Sequence, residues 1–133
     1  MKFLLVFLIS LCGFSIVQAR PVLTLDVARG LALASASTLE EVDDVLGEMK
    51  KLGSSKPLKT YRDKIIELHN DWLAVNLTES EKTHLSKYSS CSAAVGAMRT
   101  FTTQVLSPER TDTVAIQRDL AKHQKLCEKQ LKK

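Results

Sequence analysis

Between Leu58 and Val75 the apolar residues Leu58, Tyr61, Ile65, Leu68, Trp72 and Val75 recur at alternating spacings of three and four. That is the period of a helix burying one face. Ile66 and Leu73 widen the stripe. The competing pattern, a sustained alternation of Val, Ile, Thr or aromatic residues, is nearly absent from the chain. The 5 glycines and 3 prolines are few and punctuate the periodic stretches. The chain therefore reads as all-α: an up-and-down bundle of four main helices, with a candidate short fifth helix at the N-terminus and one inter-helix disulfide.

The other helices carry their own start and stop signals. Thr24 is placed to cap a short helix over about 25–35 bearing Leu23, Val27, Leu31 and Ala34. Gly30 costs such a helix about 1 kcal/mol, so a loose arm is the alternative. Thr38-Leu39-Glu40-Glu41 has the form of a capping box opening a second helix. Its first turns are acidic, Lys50 and Lys51 close it, and Gly53 supplies the stop. Pro57 suits the first turn of the third helix. Thr78 and Glu81 form a second capping box, opening a fourth helix over about 79–106. Leu85, Tyr88, Cys91, Val95, Met98, Phe101 and Val105 lie mostly along one side of it, and Gly96 is a candidate bend. Ser107 and Pro108 read as cap and first residue of the last helix, whose thin stripe is Ile116, Leu120, His123, Cys127 and Leu131.

The N-terminus decides the compartment. Lys2 precedes the apolar run from Phe3 to Val17, and Val17-Gln18-Ala19 is a small-residue cleavage pattern. This is the three-part layout of a secretory signal peptide, and the run is short of the roughly 20 apolar residues that span a bilayer. Residues 1–19 are read as a leader and 20–133 as a single helical domain. Loss of the leader takes Cys12 and one lysine, lowering the formal charge from +4 to +3. So mild a charge gives no reason to invoke nucleic acid. Two cysteines remain, Cys91 and Cys127, and outside the cell such a pair reads as a disulfide. Export also makes Asn76-Leu77-Thr78 an N-glycosylation site, since Leu77 is not proline.

No catalytic, metal or cofactor signature stands out. His123 is one turn from Cys127, so a zinc site with Cys91 is conceivable, but secretion favours the disulfide. Glu67, His69, Asn70 and Asp71 cluster, and His84 follows Glu81, without the spacing of a known metal motif. There is no G-x-S-x-G and no glycine-rich phosphate loop. The lysines of the tail, Lys122, Lys125, Lys129, Lys132 and Lys133, complement a helix C-terminus or face a polyanion. Lys50-Lys51 has the form of a dibasic processing site but sits in a helix end. Tyr61, Trp72, Tyr88, Met98 and Phe101 are candidates to line a site for a small apolar ligand between helices. With aromatics at only 5%, the core has a competing claim on them.

These features point to a secreted, non-enzymatic helical protein. It would bind another extracellular protein, as a signalling ligand or body-fluid component, with no cofactor and no stable membrane insertion. A carrier of a small hydrophobic ligand is the alternative. Mass analysis of the secreted protein is expected to find Arg20 at the N-terminus and a loss of mass on enzymatic deglycosylation. A retained Met1, or a mass unmoved by deglycosylation, contradicts the respective reading.

Overall fold

The computed structural model describes residues 22–73, 77–109 and 113–133. They form α1 (Leu25–Leu52), α2 (Lys56–Trp72), α3 (Glu79–Ser86), α4 (Ser89–Val105) and α5 (Val114–Leu131), with no strand among the described residues. The four long helices alternate in direction. Lys64 reaches Glu41 and Trp72 reaches Ser35, so α2 runs back along α1. Cys91 is bonded to Cys127 and the Ser90 amide to Gln130, so α5 runs back along α4. The all-α bundle and its inter-helix disulfide are as the sequence leads one to expect. The leader and Asn76 lie outside the described residues.

Three boundaries differ from the sequence reading. First, α1 is a single helix of 28 residues where two were expected. Thr24 does cap it, its Oγ1 accepting from the Val27 amide at 3.3 Å. Thr38 is not a cap but a buried mid-helix residue, and the Glu41 carboxylate accepts from Lys64 and Ser37 instead. The reason is one unbroken inward stripe, Ala28, Ala32, Ser35, Leu39, Val42 and Val45. Its burial outweighs the modest cost of Gly30 in an otherwise Ala- and Leu-rich segment. Gly53 ends α1 in the left-handed region at φ 61°, its amide donating to Met49 O at 2.9 Å. Glycine takes that conformation without steric penalty.

Second, the stretch expected as one helix over 79–106 is interrupted at Lys87–Tyr88, giving α3 and α4. The Thr78 capping box forms as read: Thr78 Oγ1 accepts from the Glu81 amide, and Glu81 Oε2 accepts from the Thr78 amide at 2.7 Å. Glu81 does more than cap. It is buried, and its Oε1 accepts from the Leu23 amide at 2.9 Å, tying α3 to the approach of α1. Third, Ser107–Glu109 lie outside any helix, and α5 starts at Val114. The Ser107 hydroxyl accepts from the Glu109 amide in a local turn. The apolar stripe begins only at Ile116, so no burial rewards an earlier start.

The interior falls into two clusters. One joins Leu39, Val42, Leu58, Ile65, Met98 and Phe101 across α1, α2 and α4, and Leu120 closes it from α5. The other surrounds the disulfide with Ala32, Leu68, Trp72 and Val95. Small residues on α1 make room for Trp72. Its Nε1–H donates to Ser35 Oγ at 2.9 Å, and Ser35 in turn donates to Leu31 O at 2.8 Å. The indole is thus buried with its polar atom satisfied, as a core Trp requires.

Trp72→Ala is expected to cost about 3–5 kcal/mol of unfolding free energy. Trp72→Phe keeps a six-membered ring but loses the rest of the indole and the Ser35 hydrogen bond, so about 1–3 kcal/mol is expected. Denaturant unfolding followed by circular dichroism measures both. An alanine loss under about 1 kcal/mol would mean the indole is not packed as described.

Candidate functional site

The five aromatic and Met residues proposed from sequence as ligand lining fall into two groups: Tyr61, Met98 and Phe101 at one core cluster, Trp72 and Tyr88 at the other. Trp72, Met98 and Phe101 are buried at 6%, 1% and 2% exposure, within the two core clusters. Tyr61 is half-buried on α2, with the Lys64 ammonium 5.9 Å from its ring centroid. It lines a shallow groove with Glu41, Asp44 and Glu48. Tyr88, at the α3–α4 interruption, is half-buried against the cluster that contains Trp72.

Phe101 does present an edge to a groove between α1 and α5, floored also by Leu46, Met49 and Val105 and rimmed by Lys50 and Gln117. The groove continues past Leu120 to Asp43 and Gln124, which hydrogen-bond across it at 3.4 Å. A depression of about 470 Å³ lies at the opposite end of the bundle, where the start of α1 meets the end of α5. Tyr88 and Lys87 form its third wall.

The histidines lie on three different helices. His69 packs over α4: its Nδ1 accepts from Arg99 Nη1 at 2.9 Å, and its Nε2 faces Gly96. A β-carbon at position 96 would come within 3.2 Å of that nitrogen, so glycine there admits the ring. α4 runs through Gly96 without interruption, so close approach rather than an interruption explains the residue. Burial, and then the nearby Arg99 charge, hold the imidazole below its usual range. His84 is near Ser80 Oγ at 3.4 Å. His123 sits beside a cysteine already committed to the disulfide. No set of three or more His, Cys, Asp or Glu among the described residues is arranged to hold a metal ion.

The outward face of α1 is divided. In its first half Val27 and Leu33 are 52% and 51% exposed, with the small residues Gly30 and Ala34 and the charged Asp26 and Arg29 also exposed around them. In its second half Glu40, Asp44 and Glu48 follow one another at helical spacing, all exposed. The acidic side was legible from sequence. The apolar half was not, because Val27 and Ala34 were assigned to the inward stripe of a separate short helix. On α5, Lys122, Lys125, Lys129 and Lys132 are exposed, along with the terminal Lys133. No described helix is long and apolar enough to cross a membrane.

Compared with protein families, curated proteins and solved structures, the chain matches none of them.

The His69 contact makes stability depend on pH. Because the folded state depresses the imidazole's proton affinity, the unfolded chain binds the proton more readily. The stabilisation is complete above the ordinary imidazole value, about 6.5. It is lost as pH falls through that value toward the lower folded one. Unfolding free energy is expected to decline between about pH 7 and pH 5, and less steeply in His69→Asn. Identical declines in both proteins would assign the effect to another group.

Proposed function

We propose that the chain is exported, cleaved after Ala19, glycosylated at Asn76, and acts outside the cell without catalysis by binding a protein partner. The observation that carries this reading is the divided outer face of α1. The interior is occupied by side chains packed on one another, so recognition falls to the surface. A helix presenting exposed Val27 and Leu33 beside an acidic strip has the form of a docking face. Its complement is a partner surface with an apolar furrow flanked by Lys or Arg. The Cys91–Cys127 bridge supports the extracellular setting, since such bonds persist where thiols are not kept reduced.

Parallel affinity capture from the secreting organism's extracellular fluid tests this, using the intact protein and a Val27→Glu/Leu33→Glu variant as baits. Both residues are exposed, so the variant is expected to unfold at the same denaturant midpoint. The expected result is a protein retained by the intact bait and lost by the variant. Equal recovery on both baits, or none on either, contradicts the assignment of this face.

A further inference from the structure

The end cleft is built from Leu25, Asp26 and Arg29 of α1, Lys87 and Tyr88 between α3 and α4, and Gln130, Leu131 and Lys133 at the end of α5. Its floor is apolar: Leu25, the Tyr88 ring and Leu131. Its polar groups are mostly donors. Among the described residues, Arg29, Lys87 and Lys133 have no ion-pair partner. The Gln130 side-chain oxygen already accepts from the Ser90 amide at 3.1 Å, so what it has left to offer is its NH₂. Asp26 is the one acidic side chain on the wall, and it sits in the first turn of α1, where the helix dipole favours it.

Two further observations show the cleft to be shaped by the fold. The helix interruption that delivers Lys87 and Tyr88 to its wall contains neither glycine nor proline. Upstream of it, the Glu81–Leu23 hydrogen bond fixes the approach to α1 beside Leu25. The disulfide lies one turn above, three residues after Tyr88 and three before Gln130, and locks those two walls together. A rigid wall lowers the ordering cost of binding.

We propose that this cleft binds a small anionic amphiphile, an acyl chain ending in a carboxylate or sulfate. The tail lies on Leu25, Tyr88 and Leu131. The head group takes charge-assisted hydrogen bonds from Arg29, Lys87 and Lys133. Lysine and arginine stems extend the apolar floor while their charged ends meet the head group. The volume, about 470 Å³, falls within the range of small-molecule sites. The proposal stands independently of the docking face on α1, which uses other residues.

The test is calorimetric titration of the full mature chain with dodecanoate below its micellar concentration. Dodecyltrimethylammonium and anionic phospholipid vesicles serve as comparison probes. The expected result is one site for dodecanoate, with the cation bound at least about tenfold more weakly. Arg29→Gln/Lys87→Gln is expected to lower dodecanoate affinity about tenfold or more with an unchanged unfolding midpoint. Amide and ring resonances of Tyr88 are expected to shift on binding. Equal affinity for the cationic probe, full affinity in the double variant, or binding to vesicles but not to the monomeric amphiphile each overturns the proposal.

Discussion

The covalent link between Cys91 and Cys127 is the constraint on which the rest of the molecule leans. α5 contributes only Leu120 and Cys127 to the fully buried interior, whereas α1 contributes seven residues and α4 six. α5 nevertheless lies along α4 more extensively than any other two helices meet, with Ile116 and Leu131 half-buried against the two clusters, and the bridge pins that contact covalently. The bond closes a separation of 36 residues, and chain-entropy reasoning assigns such a closure about 4 kcal/mol. Against a usual net stability of about 5–15 kcal/mol, that is enough to decide whether α5 stays docked. With α5 in place, Leu120 closes the upper core and Gln130 and Leu131 complete the end cleft.

α1 organises the other side. Its small inward residues let Trp72 enter beside Ser35, and its larger ones, Leu39, Val42 and Val45, fill the opposite half. The same helix turns an apolar then an acidic face outward. Its approach at Leu23 is held by Glu81, a carboxylate that caps α3 at the same time. Packing, capping and surface character thus meet on one element.

Much of this was legible in the residues themselves. The three-and-four spacing on α2, the Thr78–Glu81 box and the inward cysteines follow from local chemistry, and the structure has them. What was not legible depends on partners distant in sequence. Thr38-Leu39-Glu40-Glu41 has the residues of a helix start. Only the continuous burial of Ala28 through Val45 shows that the helix has already begun. The interruption at Lys87–Tyr88 carries neither glycine nor proline to announce it. Of the lining residues proposed from sequence, Trp72 and Met98 serve the core, and Tyr88 reaches the cleft through a turn the sequence does not announce. Arg29, Lys87 and Lys133 come together only when three segments meet. The Gly96–His69 approach is likewise a tertiary fact, invisible until α2 lies on α4.

The molecule is an end-stapled bundle with a divided outer face on α1 and a cleft where the start of α1, the α3–α4 junction and the end of α5 meet. The central claim is that the disulfide adds substantially to the packing that holds α5 on α4. The most direct measurement is guanidinium unfolding of the oxidised protein and of the same protein reduced and kept reduced. The account predicts that reduction removes about 4 kcal/mol of unfolding free energy. Superimposable unfolding curves for the two forms would contradict it, showing that α5 is held by packing and that the bridge is incidental.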